Sequence, residues 1–92
     1  MTEPKAMSLA HVNAAASAVL RGHLAEHRVT PKRVADAIGV FPAQFSGWMN
    51  DTKEPVSLAL VIAVAEITGV EAAGLMSQIE ARARDSWEPG TD

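Results

Sequence analysis

Two prolines, Pro31 and Pro42, with Gly39 between them, restrict this chain more than any other feature. Proline has a fixed φ and no N–H, so it starts helices well and sits badly inside them. A glycine just past an apolar residue ends a helix, because it adopts the left-handed backbone without a Cβ penalty. The stretch therefore reads as two short helices, residues 31–38 and 42–49, across the turn Gly39-Val40-Phe41. Thr30 offers a side-chain oxygen to the free N–H groups of the first helix. Val29 and Val34 flank that cap as a hydrophobic staple. Arg33 takes the third helical position, so no capping box closes there. Phe41, before the second helix, has no acceptor to offer.

The same punctuation organises the rest. Ser8 caps a helix expected over residues 9–27, with the helix-favouring alanines 14–16 inside it. Its apolar face is Val12, Ala16, Val19, Leu20 and Leu24, spaced by three and four. Gly22 weakens it by about 1 kcal/mol relative to alanine. Ser57 caps a helix over 58–68 that Gly69 ends. That helix is apolar nearly all round, which predicts the central, most buried position. A last helix starts at Glu71 or Ala72, shows the stripe Ala72, Leu75, Met76, Ile79 and Ala83, and fades after Arg84. Phe45, Trp48 and Met49 share one helical face and are expected in the core. No β alternation or internal repeat appears. With 92 residues, 48% of them hydrophobic, the chain is one all-α domain, a compact five-helix bundle over residues 8–84. A flexible arm (1–7) and tail (85–92) complete the expected layout. Domains of this size fold near the margin, so caps and core both matter.

Several function classes drop out. Cysteine is absent, which excludes a disulfide scaffold, a thiolate nucleophile and Cys-type zinc sites. The longest apolar run, residues 58–65, falls far short of the ~20 residues of a membrane span. The polar start Met1-Thr2-Glu3-Pro4-Lys5 leads into no apolar signal segment, so a cytoplasmic protein is expected. No His–carboxylate arrangement or Gly-rich phosphate loop supports an enzyme, and no cofactor is implied. Asp36, Asp51 and Glu54 read as balancing surface charges. His23 and His27 lie four apart without an evident third metal ligand and read as surface residues. Trp87 is left between folding back onto the core and entering a dimer contact.

Charge is unevenly spread. Residues 21–53 carry Arg21, Arg28, Lys32, Arg33 and Lys53 against Glu26, Asp36 and Asp51. Residues 54–92 carry two cations against seven anions, and the whole chain has a net charge of −3. A basic middle gives an acidic protein one face toward phosphate. The stretch from Val29 to Val40 resembles the helix-turn-helix of phage repressors and Cro proteins. Val34-Ala35, Ile38 and Gly39-Val40 match that family's pattern, as do Phe45 and Trp48 in the second helix of the pair. Pro55, Ala65, Thr68-Gly69-Val70 and Leu75 extend the match, so the resemblance covers about residues 12–84.

The resemblance implies a five-helix domain that places its third helix in the DNA major groove. Pro42, Ala43, Gln44, Ser46, Gly47 and Asn50 would then face the bases. Gln44 suits adenine, the Ala43 methyl suits a thymine methyl, and Gly47 permits close approach. Arg28, Thr30, Lys32, Arg33 and Lys53 are the phosphate candidates. Lys32 and Arg33 in a first helical turn oppose the helix dipole, an unfavourable placement that a bound phosphate reverses. No Arg or Lys lies within the third helix and Pro31 replaces a residue that is often Gln. Low sequence specificity, reading by DNA shape and a module that has lost DNA binding therefore stay open beside direct readout. The function implied is a repressor that binds double-stranded DNA as a homodimer and occludes a promoter. Leu75, Met76, Ile79, Ala83 and Trp87 would supply the dimer contact. The alternative is an antitoxin or other regulator whose acidic C-terminal half binds a protein partner.

Overall fold

A computed structural model of the protein describes residues 6–50 and 55–87. They form five helices: α1 (Leu9–Glu26), α2 (Pro31–Ile38), α3 (Pro42–Asn50), α4 (Leu58–Thr68) and α5 (Ala72–Ser86). No strand occurs among the described residues. Leu20, Val34, Phe45, Val64 and Leu75 are the largest fully buried side chains. Each comes from a different helix, so every helix is pinned to one shared core. Burying such a side chain stabilises the fold by about 1.5–3 kcal/mol. α1 packs along α5 and also touches α3 and α4, while α2 rests on α3 and α4.

Local chemistry sets the helix ends. Ser8, Thr30 and Ser57 accept the N–H groups of His11, Arg33 and Leu60 at 3.1, 3.2 and 3.1 Å, as their side-chain oxygens predict. Glu71 precedes α5 without a side-chain cap bond. Three helices end in one motif, with a left-handed residue followed by valine. Gly39 (φ 79°) closes α2 and Gly69 (φ 71°) closes α4. The next N–H groups, of Val40 and Val70, reach back to the Ala35 and Ala65 carbonyls at 3.0 Å. At the end of α1 the left-handed residue is Arg28 (φ 57°), and Val29 N–H donates to the Leu24 carbonyl at 2.9 Å. These bonds satisfy carbonyls that a helix end leaves without partners.

The structure corrects four expectations. α1 stops at Glu26, one residue early: His27 N–H still donates to the His23 carbonyl at 3.0 Å, but its backbone leaves helical geometry (φ −87°, ψ 1°) as the C-cap. α5 continues through Asp85 and Ser86, which therefore belong to the helix and not to a tail. The Ser86 hydroxyl donates back to the Arg82 carbonyl at 2.9 Å. α4 is not buried all round: Leu58 is 61% exposed and Ile62 42%. Its neighbours cover only the side carrying Leu60, Val61, Val64 and Ala65. Trp48 reaches the core edge and packs against it half-buried, while Phe45 and Met49 enter it.

Candidate nucleic-acid interface

α2 starts at Pro31 behind the Thr30 cap, so Lys32 and Arg33 fall in its first turn, and both are exposed. No acidic residue shares that turn to neutralise them. The Thr30 oxygen is engaged as the cap, which leaves its hydroxyl proton to donate. Arg28 stands exposed at the corner between α1 and α2. Lys53 lies outside the described residues.

On α3, Pro42, Ala43, Gln44, Ser46 and Asn50 are exposed and Gly47 is half-buried. Ala43, Gly47 and Asn50 lie on the side away from Phe45 and Met49 with Gln44 and Ser46 flanking them, while Pro42, three before Phe45, is exposed as the first residue of the helix. The Asn50 amide donates to the Ser46 carbonyl at 3.0 Å and lies 3.3 Å from its hydroxyl. Asn50 and Ser46 thus form one unit across a helical turn, with the Asn50 carbonyl oxygen as its outward acceptor. A methyl group built at Gly47 would meet no atom within 4 Å, so internal packing does not demand glycine there. A depression of about 270 Å³ is bounded by Val29 and Pro31, by Met49 and Asn50, and by Arg21, Leu24 and Ala25 of α1. Pro31 at the start of α2 and Asn50 at the end of α3 border the same hollow.

α1 holds α3 in place through a polar row that sequence reasoning overlooked. The Ser17 hydroxyl donates to the Trp48 carbonyl at 3.1 Å. The Arg21 guanidinium donates to the Met49 carbonyl. The Asn13 carbonyl oxygen accepts the Val56 N–H just before α4. Asn13, Ser17 and Arg21 are spaced by four, so they line one face of α1. Two of them satisfy carbonyls at the C-terminal end of α3, where a cation also suits the helix dipole. The signal available in sequence was this four-residue spacing of polar groups beside an apolar stripe.

His23 is a further correction: it is buried. Its Nε2 lies 2.8 Å from the Thr68 hydroxyl, which spends its own proton on the Val64 carbonyl at 2.9 Å. Nε2 must therefore donate. Burial pushes the His23 pKa below its ordinary value, the nearby His27 ring adds to this, and Glu26 opposes both. Stability linked to His23 is then fully present above the unfolded-state value of about 6.5 and is lost as pH falls through the lower folded value. Thermal melts from pH 7.5 to 5.5 should show a falling midpoint. His23→Gln, which can still donate to Thr68, should flatten that fall. An equal slope in both proteins would refute the assignment.

The residues expected to supply a dimer contact on α5 differ in exposure. Leu75, Ile79 and Ala83 are buried against the chain's own helices, so they are not free for a second copy. Met76 remains 42% exposed. Trp87 folds back with its ring centroid 5.0 Å from that of His11, whose Nε2 is 2.8 Å from the Ala83 carbonyl.

No family model, curated protein or solved structure matches the chain. The site must accordingly be argued from its own geometry. The described residues contain no group of three metal-ligating side chains and no helix long and apolar enough to cross a membrane.

Proposed function

We propose that the protein is a DNA-binding transcriptional repressor in which α2, the turn 39–41 and α3 act as a helix-turn-helix unit of the phage-repressor type. α3 enters the major groove, and the protein binds as a homodimer. The observation carrying this reading is the exposed pair Lys32 and Arg33, with no acidic residue in their helical turn, at the start of a two-helix unit whose second helix exposes a polar face. One helix supplies the Lys32 N–H with the Lys32 and Arg33 cations for phosphate. The other supplies an exposed helix face with the amide of Gln44 and small neighbours that let backbone approach a groove. An acidic protein gains nothing in its own fold from two unneutralised cations in a first helical turn.

The test is fluorescence anisotropy with the DNA flanking the protein's own gene, against scrambled DNA, over a salt series. Binding should prefer the native DNA and weaken steeply with salt. Lys32→Ala/Arg33→Ala should reduce the slope of log K against log salt by about 1.8, since each phosphate contact contributes about 0.9. Equal binding to both DNAs would leave the phosphate contacts and remove the repressor. No binding at moderate salt would overturn the reading.

A further inference from the structure

We propose that Phe41 reads DNA by packing its ring against the 5-methyl group of a thymine in the major groove. The inference rests on the reading of α3 above and names what the leading end of that helix recognises. Phe41 is 79% exposed, whereas Phe45, Trp48 and Trp87 are buried or half-buried. It stands directly before α3, and its carbonyl accepts the Gln44 and Phe45 N–H groups at 3.0 and 3.1 Å. Phe41 therefore holds the N-cap position, but its side chain has no acceptor for the N–H groups there. Ser8, Thr30 and Ser57 fill the same position on α1, α2 and α4 with a hydroxyl that accepts from its own helix. The Phe41 ring forgoes that bond and takes no part in the core that Phe45 fills. Neither the start of the helix nor the packing of the domain accounts for an aromatic residue here.

Place and chemistry select the occupant. A helix that enters the major groove presents its N-terminal residues to the base edges. Phe41, Pro42 and Ala43 are the exposed residues at that end of α3. None of their side chains can form a hydrogen bond, and Pro42 has no N–H to offer. Such a tip suits the apolar feature of the groove, which is the thymine 5-methyl group. The Phe41 ring offers that methyl a broad face, where Ala43 offers one carbon. The chain has 11 acidic residues, yet residues 37–50 carry no charged side chain. No carboxylate in this stretch opposes the approach of phosphates. Gln44 and Ser46, further along α3, hold its hydrogen-bonding groups. α3 thus divides into an apolar leading end for thymine and a polar remainder for base edges.

Anisotropy titrations of the full chain test this on the DNA flanking its own gene, with each thymine replaced in turn by deoxyuridine. That exchange removes the 5-methyl group and leaves the hydrogen-bonding edge unchanged. At one or more thymines wild type should lose about fourfold in affinity, roughly the worth of one buried carbon group. Phe41→Ser should bind the unsubstituted DNA at least about fourfold more weakly and should not sense that exchange. Ala43→Gly should still sense it. Phe41→Ser should also melt a few degrees above wild type, because serine supplies the missing cap. Its weaker binding is then no loss of fold. A wild type that binds but is indifferent to every exchange would overturn the contact and leave the reading of α3 standing. Exchange penalties that all persist in Phe41→Ser would do the same. A Phe41→Ser protein that melts below wild type would give the ring to the fold and overturn the proposal too. A wild type that binds none of these DNAs would overturn both.

Discussion

Phe45→Ala is expected to remove about 3–5 kcal/mol of stability. Typical stabilities of about 0.05–0.15 kcal/mol per residue make that a large share of what a 92-residue chain has. Phe45 is fully buried and meets Trp48 edge to face, with ring centroids 6.5 Å apart. Phe45 and Met49 are the buried residues of α3. A nine-residue helix does not persist alone in water, and Phe41 gives this one no side-chain cap. Deleting the Phe45 ring therefore leaves a cavity and loosens the whole of α3. Urea melts followed by far-ultraviolet circular dichroism should show the loss, and Phe45→Leu should show much less of it. A Phe45→Ala loss below about 2 kcal/mol, under the usual range for such truncations, would mean that α3 does not hang on this side chain. DNA binding should fall with the fold in Phe45→Ala and survive in Phe45→Leu.

The helices were legible because local chemistry punctuates them. Ser8, Thr30, Ser57, Gly39 and Gly69 act within a few residues of themselves, so their roles show in sequence and recur in the structure. Direction of burial is a different kind of fact. α4 is apolar nearly all round, and Glu66, exposed one turn beyond Ile62, is its one charged mark of the side that its neighbours leave open. Leu58 and Ile62 were nonetheless expected inside. α5 shows the complementary problem. Its stripe was read as amphipathic, yet periodicity does not say whether the facing surface belongs to the same chain or another. α1 covers Leu75, Ile79 and Ala83 from within. His23 was misplaced for a related reason: its partner Thr68 lies 45 residues away, beyond the reach of helical spacing.

The candidate site divides the same way. The exposed face of α3 followed from the positions of Phe45 and Met49, since the core side of a short helix fixes its outer side. The support for that face came from Asn13, Ser17 and Arg21, whose acceptors and donors sit at least 28 residues away. Arg21 had counted among the basic charges of the middle region. In the fold its guanidinium also serves the end of α3, so Arg21 is an anchor of that helix as well as a surface cation.

Arg28→Gly is expected to raise stability and weaken DNA binding in the same protein. Three helices end with the same backbone turn, and two of them use glycine for it. Arg28 adopts the left-handed conformation at φ 57°, which disfavours a residue with a Cβ by about 1–2 kcal/mol. Glycine relieves that strain, and it also gives up a cation near the C-terminal end of α1, a loss of about 0.3–1 kcal/mol. The balance is a gain of about 0.5–1 kcal/mol, which raises the melting midpoint of a domain this size by a few degrees. Strain held at a surface corner points to a use for the side chain, and under the proposed function, with Lys32 and Arg33 close by in sequence, that use is a phosphate contact. The salt slope of DNA binding should accordingly shrink by about 0.9. Paired thermal melts and anisotropy titrations separate the two effects, with Arg28→Ala as the control. Alanine keeps most of the backbone strain and removes the charge, so it should lose DNA affinity without gaining stability. If Arg28→Gly bound DNA as tightly as wild type, with an unchanged slope, Arg28 would leave the phosphate edge and its backbone strain would have no counterpart in binding.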